Sequence, residues 1–233
     1  FLISIDTEEE FDWNAPFQRT GHTTVSAPML RKFQEFIEKY QVKPAYFIDY
    51  SIVTDEAAGA FLRTVAEQKT ADIGVHLHPW INPPFDEQVN GYNSFAGNLP
   101  KELEEQKLVA LRDAIRDKSG ITPTIYRARR YGMDSSIRSR FDYSGEGGPA
   151  FLAVGSEPFW WDDDRGLLEV PLTTVYSGLL RKQAGLAAGI MNQSPLINAL
   201  FSRSKMLERI PLTPEGISAR ETKEAIDVAL DDD

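Results

Sequence analysis

Two periodicities alternate along this chain. From Phe1 to Asp6 the apolar positions recur every second residue, Ile3 and Ile5 on one side and Ser4 and Asp6 on the other, which predicts a strand with an oily and a polar face. Met29, Leu30, Phe33, Phe36, Ile37 and Tyr40 then recur at helical spacing behind Ser26, a residue suited to cap a helix. Pro44 opens a short apolar strand, AYFI, that runs to Asp49. A second helix is expected from Asp55 to Lys69, with Ala58, Phe61, Leu62 and Val65 along one side, and it leads into the strand ADIGVHLH. The stretch from Pro79 to Pro100 is rich in Pro, Asn and Gly and reads as an ordered surface loop. A long helix follows from Lys101 to Lys118, with Leu103, Leu108, Leu111 and Ile115 as its buried stripe, and a Gly-Ile-Thr-Pro break precedes the strand TIYR.

Beyond that point the pattern is sparser. FLAV at 151 to 154 and LLEVPL at 167 to 172 read as strands, Leu179 to Leu200 as helical and Ser218 to Leu230 as a final helix. Strands alternating with amphipathic helices predict an α/β fold with a parallel sheet, and a (β/α) barrel is the form favoured here. With 233 residues and no internal repeat, the chain is expected to form a single domain over 1–233.

In such folds the chemistry sits at the C-terminal ends of the strands. Asp6 ends the first predicted strand, Asp49 the second, His76 and His78 the third and Arg127 the fourth. Residues two apart on a strand share a face, so His76 and His78 can approach one metal ion while Ile73, Val75 and Leu77 point toward the helices. The same spacing brings Glu8 to the side of Asp6, one carboxylate to bind metal and the other to act as base. Two imidazoles and a carboxylate, with a position open for water, form a common catalytic shell, typically for zinc. Each feature also has a plainer reading. Glu8 to Glu10 is a charge run of the kind that is usually solvated, and Arg127, Arg129 and Arg130 could orient an acid or simply pair with surface carboxylates. WDDD at 161 to 164 reads as a solvated turn, Trp160 and Trp161 as a sugar platform or as packing, and His22 as a surface residue.

Composition narrows the chemistry. The chain has no cysteine, which excludes disulfides and thiolate ligands and leaves any transition metal to His, Asp or Glu. A formal net charge of −10 would repel a phosphate backbone, so nucleic acid is not expected as a partner. No apolar run reaches the length of a membrane span. The first residues read as a strand already under way with no initiator Met, so the N-terminus looks trimmed; a cytoplasmic location is favoured.

Six segments together resemble a known family: SIDTEEEFDW at 4 to 13, DIGVHLHPW at 72 to 80, NSFAGNLP at 93 to 100, YRARRYG at 126 to 132, RFDYSGEGGP at 140 to 149 and LLEVPLT at 167 to 173. They resemble the polysaccharide deacetylases of the NodB-homology type, carbohydrate esterase family four, and within it the WalW-like branch of lipopolysaccharide biosynthesis. The resemblance implies a distorted (β/α) barrel holding a divalent metal, with zinc as the expected ion, that activates water to remove an acetyl group from an N-acetylated sugar. It matches Asp6 to the catalytic base, His76 to the first metal histidine and Arg127 to the arginine that orients the base. Trp80, Asp49, Arg130 and Tyr131 are the residues expected along a carbohydrate substrate.

The departures from the family pattern are specific. Thr7 stands where a second aspartate follows the base, which passes the acidic ligand to Glu8, and Trp80 stands where the second histidine belongs, which passes that ligand to His78. Relatives carry a helix and the start of a strand between the positions of Met133 and Asp134, and a late Leu-x-His motif supplying a general acid is not reached before Asp233. Two other expectations therefore stand beside deacetylation: a catalytically silent barrel that binds glycan or a partner enzyme, and a C–N hydrolase acting on a small amide, with Trp80 and the Pro83-Pro84 loop narrowing its groove.

Overall fold

The computed structural model describes residues 2–128, 157–160, 166, 168–180, 204, 206–213 and 217–231. Contacts divide the chain, which reads from sequence as one domain, into two compact units, Phe1–Arg138 and Ser139–Asp233.

The first unit is built as the alternation of periodicities predicts. Its elements are β1 (Ser4–Thr7), α1 (Met29–Glu38), β2 (Ala45–Ile48), α2 (Tyr50–Thr54), α3 (Glu56–Gln68), β3 (Asp72–Leu77), α4 (Lys101–Ser119) and β4 (Tyr126–Ala128). The four strands form one parallel sheet in the order β1-β2-β3-β4, so the architecture is mixed α/β. Parallel strands are covered on both faces and read as continuous apolar runs, and all four residues of β2 are buried. Ile48, Leu62, Leu77, Leu111 and Ile115 belong to one core cluster, which Ile73 and Val75 also join from the helix-facing side of β3.

Register sets out how the candidate residues line up across the sheet. Asp6 lies opposite Phe47, Phe47 opposite Gly74, and His76 opposite Arg127. Gly74 is required by packing: a Cβ there would come within 2.7 Å of Phe47 Cδ1 and 2.8 Å of Ile125 Cγ1, well inside contact distance.

The helix ends follow local hydrogen bonding, and here the sequence reading needs two corrections. α1 starts behind Pro28 and not from a Ser26 cap; the Ser26 N–H instead donates to Glu10 Oε1 at 2.6 Å. Asp49 does not simply close a strand. Its Oδ1 accepts the Ile52 N–H at 2.7 Å and starts α2, an element the apolar run SIV hides. α3 keeps its expected limits, capped by Asp55 accepting from Ala58 N at 2.8 Å. α4 ends at Gly120, whose φ of 80° is the left-handed geometry of a helix terminus.

The loop after β3 carries two single 3-10 turns, Pro79–Ile81 and Ala96–Asn98, and is pinned from below by a charge on α4. Lys107 is fully buried. Its ammonium donates to the carbonyls of Pro79, Asn82 and Pro84 at 2.9, 2.6 and 2.5 Å and pairs with Glu87 at 2.8 Å. Burial pushes this ammonium below the ordinary lysine range, against the opposing pull of the Glu87 carboxylate.

In the second unit, β5 (Phe159–Trp160) pairs antiparallel with β6 (Leu168–Glu169), and β7 (Thr174–Ser177) pairs antiparallel with β8 (Glu208–Pro211). A final helix, α5 (Ala219–Asp231), falls where the sequence predicts one, and Val175, Ile210, Ala225 and Val228 form a small core. The strand expected at 151–154 and the helical stretch from 181 to 200 lie outside the described residues. Among the described residues, no helix is long and apolar enough to cross a membrane.

Candidate metal centre

Period-two geometry continues past the end of β1. Asp6 and Glu8 face outward, whereas Thr7 and Glu9 are buried. Two strands away, His76 sits near the end of β3 and His78 follows it in extended backbone, 2% and 0% exposed. The two imidazoles are neighbours, with ring centroids 4.9 Å apart. Glu8 reaches both: its Oε2 lies 3.2 Å from His76 Nε2 and 3.3 Å from His78 Nε2. Glu8, His76 and His78 together form a group that could hold a metal ion.

The far side of each ring determines what these contacts mean. His76 Nδ1 lies 3.0 Å from the Arg127 carbonyl oxygen, which can only accept, so Nδ1 carries the proton. His78 Nδ1 faces the Glu9 carboxylate at 2.5 Å, which again calls for an N–H. With its proton on Nδ1, a neutral ring at either position presents the Nε2 lone pair to the Glu8 carboxylate. Three acceptors at these distances repel one another unless a positive charge lies among them. A tetrahedral zinc shell, with bonds of about 2.0–2.2 Å to nitrogen and oxygen, sets neighbouring ligand atoms about 3.3 Å apart. The spacing around Glu8 Oε2 fits that shell.

Asp6 stands beside this group without joining it. Its Oδ2 is 4.0 Å from His76 Nε2, and its Oδ1 accepts from Arg127 Nη1 at 2.7 Å. Arg127 donates also to Ser4 Oγ at 2.8 Å, and its guanidinium lies over the Phe47 ring, 5.0 Å from the centroid. The arginine is thus held on three sides and turns one edge to Asp6. A cavity of about 390 Å³ opens here, with Asp6 and Glu8 in its lining and Phe11, Trp13, Leu30 and Ile52 as an apolar wall.

Several residues lie elsewhere than the sequence suggests. Asp49 is fully buried and occupied by backbone: besides capping α2, its Oδ2 accepts the Glu9 N–H at 2.7 Å, so it does not reach a substrate. Trp80 is 3% exposed and stacks on His78 with centroids 4.8 Å apart and planes 23° apart, backed by Phe17 at 4.7 Å. It fixes the histidine ring and does not line the cavity. Arg130 and Tyr131 lie outside the described residues. His22 is partly buried, with Nε2 3.0 Å from Ser51 Oγ, and is not a plain surface residue. Glu10 leaves the charge run to accept from Thr23 Oγ1 and Ser26 N, and the bonds from Ser26 and Thr23 hold its carboxyl below the ordinary range. Trp13, half-exposed on the cavity wall, is the residue that strand-end reasoning overlooks; the signal was the aromatic pair in FDW, two aromatics straddling one acid.

Comparisons with family models, with curated proteins and with solved structures find no match for this chain.

Proposed function

We propose that the chain is a metal-dependent hydrolase that removes the acetyl group of an N-acetylated sugar in a polysaccharide or lipopolysaccharide. The observation that carries this reading is the convergence of three acceptors, His76 Nε2, His78 Nε2 and Glu8 Oε2, at the spacing of a metal shell. The progressive strand order β1-β2-β3-β4 supports it as well, since a (β/α) barrel begins that way. A divalent ion such as zinc, held by Glu8, His76 and His78, would supply Lewis acidity toward water and the acetyl carbonyl.

The remaining work falls to the chain's own groups. In the reaction, water adds to the carbonyl carbon, the C–N bond breaks, and acetate and a free amine leave. Asp6 would take the proton of the attacking water on Oδ2, because Arg127 engages Oδ1 and holds the carboxylate in its orientation. Once protonated, Asp6 can return that proton to the leaving nitrogen. Trp13 offers a flat half-exposed ring beside the acidic floor, suited to the apolar face of a pyranose.

The test is elemental analysis of the purified protein together with acetate release from N-acetylated oligosaccharides. Wild type should carry one divalent ion per chain and release acetate, and His76→Ala should lose both. Full metal content in His76→Ala would overturn the assignment of the site. Metal binding without any acetate release would leave the metal centre and remove the deacetylase reading.

A further inference from the structure

We infer that Glu9, fixed in place by Asp49, locks His78 in the tautomer that carries its proton on Nδ1 and thereby aims the Nε2 lone pair at the cation position. The consequence for metal affinity rests on the metal reading above; the tautomer does not.

Glu8 and Glu9 are consecutive residues of an extended segment and point to opposite sides. They grip the same imidazole by its two edges, Glu8 Oε2 at Nε2 and Glu9 Oε2 at Nδ1. The grip from the Nδ1 side is anchored through the backbone. Asp49 Oδ2 accepts the Glu9 N–H while Asp49 Oδ1 accepts the Ile52 N–H, so one carboxylate ties the segment after β1 to the first turn of α2. The side chains of Glu9, Asp49 and His78 are all fully buried, and no bulk water competes for the imidazole proton. Trp80 stacked on the ring removes its remaining freedom to tilt.

Glu9, Asp49 and His78 also form a group whose ligand atoms could surround a second metal. The distances favour a hydrogen bond. Neighbouring ligands on one zinc ion lie about 3.3 Å apart, whereas His78 Nδ1 and Glu9 Oε2 are 2.5 Å apart, too close for two ligands of one ion and within reach of a hydrogen bond to the carboxylate. Asp49 Oδ2, 3.7 Å from Nδ1, is too far to accept that proton and acts through the Glu9 backbone. With a proton on Nδ1, no lone pair remains there for a metal. Glu9 and Asp49 are therefore positioning residues, and one imidazole serves one ion.

The experiment uses the full chain labelled with 15N-histidine, stripped of metal, at neutral pH. Three histidines give three ring patterns, and that of His78 is the one missing from His78→Gln. Wild type should show His78 protonated on Nδ1. Glu9→Gln presents an amide that can donate to Nδ1, so the ring should shift toward the Nε2–H form and zinc affinity, measured by competition with a chromogenic chelator, should fall about 10–100-fold. Glu9→Asp, acceptor-only like the native residue, should recover part of the affinity and the native tautomer. Should Glu9→Gln fail to fold by circular dichroism, the wild-type spectrum alone decides. An Nε2–H ring in wild type, two zinc ions per chain, or a folded Glu9→Gln with native tautomer and native affinity would each overturn the inference. If wild type binds no zinc, the metal reading falls while the ring spectrum still judges the tautomer.

Discussion

The two walls of the centre use the same side-chain chemistry to opposite ends. On the inner wall, Glu9 and Asp49 are fully buried, and both are engaged by protein, by His78 and by backbone N–H groups. On the outer wall, the side chains of Asp6 and Glu8 are 40% and 27% exposed, and both residues line the cavity. A buried carboxylate oxygen that holds an imidazole or a backbone N–H stabilises geometry. Asp6, held by Arg127 on Oδ1, keeps Oδ2 on the side of His76, and Glu8 offers one oxygen to both imidazoles. Chain position does not separate the two kinds, since Glu8 and Glu9 are adjacent; the face of the extended backbone does.

The largest effect that would break this contrast belongs to Asp6. Asp6→Asn should lower acetate release about 100- to 10,000-fold, as removal of a general base does, while leaving metal content and folding in place. The second concerns enclosed charge. Lys107→Ala strands Glu87 and three loop carbonyls without their buried cation and should cost about 3–5 kcal/mol in urea unfolding, a loss of stability where Asp6→Asn gives a loss of rate. The smallest effect comes from an acid on neither wall. Asp55→Ala removes the cap of α3 and should cost about 1 kcal/mol at neutral pH. Hydrogen bonding from the Ala58 N–H holds the Asp55 carboxyl below its ordinary range, so its contribution is complete above the unfolded pKa of about 4. That contribution fades as the pH falls through the lower folded value, so the wild-type and variant unfolding curves should converge in acid.

The strand ends were legible because alternation is local. Asp6, His76 and Arg127 could be assigned to one end of a parallel sheet from a period of two and the order of elements. Glu9 could not, because a run of three glutamates carries no mark of which member turns inward, and the answer depends on His78 arriving from a strand that begins more than 60 residues later. Asp49 read as a strand-end residue along the substrate because YSIVT, with its β-branched residues, conceals the short helix that the same aspartate caps. Lys107 lies on the polar pattern of an amphipathic helix, and only the inward-turned carbonyls of the loop from Pro79 to Pro84 explain its burial. Trp80 looked like a groove residue because it follows His78 by two positions; the 3-10 turn at Pro79–Ile81 swings it back over the imidazole.

Gly74 carries a constraint that reaches the outer wall. It is a poor strand former at the centre of β3, and by propensity alone valine would be the natural improvement. Yet the space above it belongs to Phe47, and the Phe47 ring is the floor on which the Arg127 guanidinium rests before it turns to Asp6. A redesign that strengthens the strand would lift that floor and carry the arginine away from the carboxylate. The pairing of Arg127 with Asp6 is thus set, through Phe47, by a side chain that was never there.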